Sequence, residues 1–234
     1  ARQHSRLQNY LRDAQAKGHA TANATAYVTL EPCSHHGRTG PCCDALIAAG
    51  IKRVVATHTD PNPLVSGQGF ARLRAAGVQV DVLPPDDPVA VQARELNIGF
   101  FSRMVRKRPW VRAKMASSLD GKTALTNGAS QWITSPAARA DGHLWRARSC
   151  AVLTGIGTIL ADNPRLDVRE VTTSRQPHLV IVDAALQTPA HAALFDIPRQ
   201  VLIYTATPEP TARQALQARG ATIIDLPSPA APGR

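Results

Sequence analysis

The sequence predicts an α/β protein of two domains, each built on a parallel sheet, and three observations carry that expectation. Short runs rich in β-branched residues alternate with helical stretches, a spacing that fits strands joined by helical crossovers. At 234 residues the chain has room for two domains of ordinary size. A basic run, Arg103-Met104-Val105-Arg106-Lys107-Arg108, ends at Pro109 and forms the natural border.

The elements follow in order. Arg12 to Gly18 reads as the end of a helix, and Thr25–Leu30 (T-A-Y-V-T-L) as a strand halted before Pro32. The apolar run Ala45-Leu46-Ile47-Ala48-Ala49, closed by Gly50, predicts a helix over 42–49. Arg53–Thr57 and Val78–Leu83 are the next strands, separated by a helix over 69–75. Pro84-Pro85-Asp86-Asp87-Pro88 is a turn into a helix over 88–103. Beyond the border come a strand at Trp110–Ala116, a helix over 135–147, a buried strand at Ala151–Leu153, and strands at Leu179–Val182 and Val201–Tyr204. A helix from Thr211 to Arg219 leads to a strand at Ala221–Leu226 and then a Pro-rich tail. No internal repeat is visible.

Composition narrows the function. Hydrophobic residues make up 44% of the chain, and no stretch reaches the roughly 18 apolar residues of a membrane span. The N-terminal residues lack the apolar core of a secretion signal, so the expected compartment is the cytoplasm, with no membrane partner. Four cysteines in that setting favour metal-ligand or thiol roles over disulfides, with Cys43 and Cys150 expected to be packing residues. The formal net charge of +10 is the usual footprint of nucleic-acid binding. Yet the basic residues are scattered, and aromatics are only 4% of the chain, too sparse for base-stacking platforms. A phosphorylated substrate and a phosphate-bearing cofactor account for distributed basic groups, so no nucleic-acid partner is expected.

The chemistry concentrates in Glu31-Pro32-Cys33-Ser34-His35-His36-Gly37-Arg38-Thr39-Gly40-Pro41-Cys42-Cys43. A catalytic zinc takes three protein ligands and leaves a fourth position for water, and Cys33 and Cys42 can supply two of them. The strand before and the helix after would put the metal at a strand end beside a helix N-terminus. A structural zinc knuckle or simply buried thiols are the plainer alternatives.

Zinc deaminases of bases carry His-x-Glu followed by Pro-Cys and a second Cys, the Glu shuttling protons without touching the metal. Here eight residues separate Cys33 from Cys42, and this longer basic loop resembles that of the pyrimidine deaminase of riboflavin synthesis. Asp60-Pro61-Asn62-Pro63-Leu64-Val65-Ser66-Gly67-Gln68-Gly69 also resembles that family. Lys114-Met115-Ala116-Ser117-Ser118-Leu119-Asp120-Gly121-Lys122-Thr123-Ala124 and Gly128-Ala129-Ser130-Gln131-Trp132-Ile133-Thr134-Ser135 resemble the opening of the reductase fused behind it. The similarity runs from about Ala14 to about Leu202. It marks a resemblance to the diaminohydroxyphosphoribosylaminopyrimidine deaminase and 5-amino-6-(5-phosphoribosylamino)uracil reductase family.

The resemblance implies an α/β fold with a cytidine-deaminase-like three-layer domain over 1–106. A partial dihydrofolate-reductase-like domain follows over 107–234, the first domain expected to lack its N-terminal part and the second its C-terminal part. It implies zinc and NADPH as cofactors, a phosphorylated ribosylaminopyrimidine as substrate, and a homo-oligomer as a possible assembly. Residue by residue, it implies Cys33 and Cys42 as metal ligands and Lys114 and Asp120 near the reacting groups. Ser130, Arg146, Leu166 and Arg169 match substrate contacts, and Ala116, Trp132, Thr158 and Asp162 cofactor contacts. Arg146 and Arg169 suit a phosphate because a guanidinium binds one bidentately. At the head of the chain His4-Ser5-Arg6 stands in place of His-x-Glu, with His4 near the third-ligand position. A guanidinium stays charged and cannot accept the proton, so little deaminase turnover is expected. Glu31, adjoining the loop, reads as structural, and His36 and Arg38 as phosphate contacts or supports of the ligands. Two rival readings are a lone nucleoside or base deaminase and a basic zinc module that binds nucleic acid.

Overall fold

The computed structural model describes residues 2–37 and 39–226, with side chains from residue 7 onward. It divides into two compact units, Ala1–Arg112 and Ala113–Arg234.

The first unit opens with helix α1 (Arg2–Ala16) and then alternates: β1 (Thr25–Val28), α2 (Cys42–Ala48), β2 (Arg53–Ala56), α3 (Gln68–Ala75), β3 (Gln79–Val82). The strands lie in the order β1-β2-β3, all parallel, with Thr25 opposite Arg53 and Arg53 opposite Gln79. Parallel pairing requires a crossover between consecutive strands, and the two helices supply it. Leu46, Val54 and Leu73 are fully buried between sheet and helices, joined by Leu11, Ile51 and Val78. Burying each large aliphatic side chain stabilises the unit by about 2 kcal/mol. Gly50 turns the chain out of α2 at φ 70°, and a Cβ there would lie 3.2 Å from the Ala22 Cα.

Helix α4 (Pro88–Leu96) starts cleanly, with Pro88 in its first turn and the Asp87 carboxylate accepting from the Val89 N–H at 2.8 Å. The single helix expected over 88–103 is broken. Asn97 caps α4, a short α5 (Ile98–Phe101) follows, and a π-helical turn over Ser102–Arg106 ends at Lys107 in the left-handed region. The expected strand at Trp110–Ala116 does not form: this segment pairs with no strand, and Val111 and Met115 stand 79% and 83% exposed. Its alternation of apolar and basic residues mimics a strand, but without a neighbour's hydrogen bonds an isolated strand has no ladder to join.

In the second unit α6 (Pro136–Arg148) is capped by the Ser135 hydroxyl, which accepts from the Ala138 N–H at 3.2 Å. There follow β4 (Ala151–Gly155), α7 (Ile156–Asp162), β5 (His178–Val182), a 3-10 turn at Ala193–Asp196, β6 (Val201–Thr205), α8 (Pro210–Ala218) and β7 (Ala221–Asp225). The sheet runs β4-β5-β6-β7, again all parallel. Leu179 and Ile181 on β5, Ile203 on β6, Leu194 and Leu216 form its core. The run at Ala151–Leu153, expected to be a buried strand, is an edge strand with Leu153 69% exposed, because among the described residues β5 alone flanks it. Cys150, expected to pack inside, is exposed, whereas Cys43 is fully buried. The Pro-rich tail lies outside the described residues.

Candidate functional sites

In the first unit the thiol loop is built onto the start of α2. Cys33 serves that helix twice: its carbonyl accepts from the Cys43 N–H at 3.1 Å and its sulfur from the Cys42 N–H at 3.3 Å. Two of the N–H groups that a helix start leaves unpaired are thereby satisfied, and an N–H aimed at sulfur supports a metal-facing thiolate. Cys33 and Cys42 are both buried, and the hydrogen bond between their side chains, with burial, pushes the Cys42 thiol far above its ordinary range. Burial, then the neighbouring Cys33, pushes the Cys43 thiol up to about 12; its S–H donates to the Pro32 carbonyl at 3.1 Å. Cys43 is a packing residue, as expected.

The loop is anchored by Glu31, only 3% exposed. Its carboxylate accepts N–H groups from Asp60 (3.0 Å), Gly67 (2.9 Å), Gly69 (2.8 Å) and Phe70 (3.4 Å). Every one belongs to the segment from Asp60 to α3, so one side chain binds the second motif of the sequence to the first. Asp60 and Asn62 close that segment with bonds to the Asn62 and Leu64 N–H groups. Gly69 is required by space: a Cβ there would sit 1.9 Å from the Pro32 carbonyl oxygen.

Two adjacent thiols suit zinc's preference for soft ligands. Among the described residues no group of three His, Cys, Asp or Glu stands together, and the His4 and Arg6 side chains, with Arg38, lie outside them. The described donors therefore supply two ligands, short of the three a catalytic zinc takes. His35 and His36 are exposed.

The second unit gathers charge around Asp167. This carboxylate, 3% exposed, receives Arg169 at 2.8 Å and Arg165 at 3.0 Å. Burial works against its ionised form, but those two guanidiniums outweigh burial and hold its pKa below the usual carboxylate range. The Asp167 carbonyl accepts from Arg146 at 3.0 Å. Arg199 donates to the carbonyls of Leu166, at 2.7 Å, and Arg165. Burial, then the nearby Arg169, lowers the pKa of Arg146. Burial brings Arg199 to about 10, so it stays cationic at neutral pH. Leu166 occupies the left-handed region at φ 53°, a strained conformation for a residue with a Cβ. Beside this turn His143 is buried, its Nδ1 accepting the Arg169 N–H at 3.4 Å and its Nε2 3.5 Å from Glu170. Burial, then Arg146 and Arg169, lowers the His143 pKa. Four guanidiniums thus surround one buried carboxylate, with Glu170 at the edge, and the surplus is positive. The side chains of Arg165 and Arg169 are 55% and 48% exposed, so both can meet an anion.

Of the expected site residues, the structure joins Arg146, Leu166 and Arg169 in this one turn. Lys114 lies against α6, its Cε 4.0 Å from where a Cβ of Gly142 would stand. Asp120 sits in an exposed turn, bonded by the Ser118 hydroxyl, and Ala116 and Ser130 are half-buried. The Trp132 ring, 66% exposed, is covered on one face by Arg139 at 4.4 Å. Thr158 and Asp162 are exposed one turn apart on α7. Among the described residues no hydrogen bond or ion pair joins Asp120, Ser130, Trp132, Thr158 or Asp162 to the arginine turn. Sequence reasoning passed over Arg165, Asp167, His143 and Arg199. The alternation of charged and apolar residues in Arg165-Leu166-Asp167-Val168-Arg169 is the one local signal that could have revealed the first two. His143 and Arg199 carry no local signal.

A parallel α/β unit with a cysteine pair at a helix start is followed by a second with an arginine cluster about a buried carboxylate, and the two are deaminase-like and reductase-like halves on one chain. The chain belongs to the RibD C-terminal domain family, whose profile matches residues 109–228. Residues 6–58 match the cytidine and deoxycytidylate deaminase zinc-binding region. The riboflavin biosynthesis protein RibD of Aquifex aeolicus is 43% identical over 209 residues, covering 89% of this chain and 58% of that protein. That of Escherichia coli is 50% identical over 187 residues, covering 74% and 50%. Among solved structures, Acinetobacter baumannii RibD, form 1, superposes with TM-score 0.78 at 41% identity, covering 94% of this chain and 60% of that one. A Thermotoga maritima diaminohydroxyphosphoribosylaminopyrimidine deaminase/5-amino-6-(5-phosphoribosylamino)uracil reductase gives 0.73 at 33%, covering 92% and 65%. The chain spans about half the length of the curated relatives it matches. The expected family and α/β fold class, a cytidine-deaminase-like unit followed by a reductase-like one, are met by these matches. Among the described residues no helix is long and apolar enough to cross a membrane.

Proposed function

We propose that this chain serves riboflavin synthesis, taking part in hydrolytic deamination of a ribosylaminopyrimidine phosphate and NADPH-dependent reduction of the product's ribosyl side chain. The observation that carries the reading is the surplus of guanidinium at the Asp167 turn, in the unit whose family profile is that of the RibD C-terminal domain. A phosphate ester is the substrate feature such a cluster recognises. Arg146, Leu166, Arg169 and Ser130 hold the substrate, with the phosphate on the exposed arginine face. Lys114 and Asp120 lie by the reacting ribosyl group and orient it. Ala116, Trp132, Thr158 and Asp162 hold the cofactor, the open Trp132 face offering a stacking surface. When bound, NADPH supplies the hydride and zinc a polarised water. Cys33 and Cys42 hold the metal on the deaminase side. Arg6, standing at the position of the proton-shuttling Glu, offers no proton acceptor, so deamination is the weaker of the two activities. A cytoplasmic setting, homo-oligomeric assembly and no nucleic-acid partner complete the reading; the arginines at Asp167 account for part of the basic surplus without one.

Titration with ribose 5-phosphate and with NADPH tests it. Both are expected to bind, with R169A weakening the phosphate ester about tenfold and sparing NADPH, and W132A doing the reverse. Retention on DNA that falls steeply with salt, with neither small molecule bound, would overturn the reading.

A further inference from the structure

We infer that Arg199 is a positioning residue that holds the Arg165–Asp167 turn in the shape presenting Arg165 and Arg169 to a phosphate ester. The inference rests on the reading of that turn as the phosphate contact and deepens it.

Three successive carbonyls of the turn face guanidinium groups: Arg165 and Leu166 face Arg199, and Asp167 faces Arg146. Between them Leu166 is held at φ 53°, a conformation that persists only where the surroundings impose it. Downstream, the Asp167 carboxylate ties the side chains of Arg165 and Arg169, whose charged ends stay half-exposed. The chain's own residues thus form a relay. Arg199 fixes the backbone, the backbone aims the Asp167 carboxylate, and the carboxylate aims two arginines outward.

Arg199 is suited to the task by where it stands. It comes 33 residues after Leu166, in the short link between the 3-10 turn and β6. Both ends of that link are fixed in the core, Leu194 at 0% and Val201 at 3% exposure. A planar fork rooted there spans two adjacent carbonyls at once, which a lysine ammonium cannot do in the same geometry. Its Nε, buried, has no hydrogen-bond partner, so the side chain accepts an unfavourable environment while keeping both terminal contacts. Both terminal nitrogens of Arg199 donate to backbone carbonyls of the turn, so the side chain acts on the turn itself.

The test compares R199M, R199K and the unaltered chain by amide hydrogen exchange and by titration with ribose 5-phosphate. R199M is expected to speed exchange at residues 166–169 by about tenfold or more, while exchange at Leu179–Val182 in β5 stays unchanged. It is expected to weaken ribose 5-phosphate by about tenfold without touching NADPH affinity, and R199K to fall between. A loss confined to melting temperature, with turn exchange and phosphate affinity both unaltered, would overturn the inference. So would full phosphate affinity in R199M. If the unaltered chain ignores ribose 5-phosphate yet R199M loosens only 166–169, the positioning role is upheld and the functional reading fails.

Discussion

Each unit fixes its candidate site with one buried carboxylate, yet Glu31 and Asp167 use the same group in opposite ways. Glu31 accepts four backbone N–H groups and, among the described residues, pairs with no cation, so its charge is spread over peptide dipoles and the result is a shaped loop. Asp167 accepts guanidiniums, so its charge is cancelled and exceeded, and the result is a field. A carboxylate answered by dipoles builds scaffold; one answered by cations sets the local potential. The difference matches the ligands proposed for each site, a metal that needs two sulfurs held still and an anion that needs surplus positive charge.

The sharpest way to break this contrast is E31A, which strands up to four N–H groups in a closed interior. It is expected to cost about 3–5 kcal/mol in urea unfolding, with zinc retention lost, and E31Q about half as much. A cost below about 1 kcal/mol would show that the loop shapes itself without the carboxylate. Second, D167N leaves the turn in place but removes the counter-charge. An expected loss of about 2 kcal/mol, less than for a fully buried pair because both arginines are half in water, should be accompanied by weaker phosphate-ester binding, since the two arginines lose the carboxylate that aims them. Because the Asp167 pKa is depressed, its contribution is complete above about pH 4 and is lost as pH falls through the folded value; in D167N that acid-side loss disappears. The smallest effect belongs to His143. Its pKa is depressed, so the unfolded chain takes up the proton first, and stability drops as pH falls below about 6.5. Melting curves between pH 5 and 8 should show that slope, and H143Q should flatten it.

The sheets were legible where apolar runs were both β-branched and bounded. Val201–Thr205 and Arg53–Ala56 fall within a residue of expectation because their neighbours cover them. Trp110–Ala116 has the right alternation and no partner, and pairing is a property of two segments. α7 escaped because it begins directly after β4 at Gly155, so no polar loop marks the change from extended to helical backbone. In the sites, cysteine spacing announced the thiol pair, since metal-ligand types are rare and their separation is informative. The arginine turn was half visible: Arg146 and Arg169 were singled out, while the buried Asp167 and the remote Arg199 were not. Arginines are common on surfaces, and only burial separates one holding a turn from one in water.

The close approach at Gly69 leaves no slack between the thiol loop and the strand-to-helix segment behind it. With the Glu31 side chain bonded across to that segment, stretches almost forty residues apart in the chain are tied directly to one another. Any side chain larger than glycine at position 69 would therefore push the Pro32 carbonyl, and with it the thiol loop, out of place.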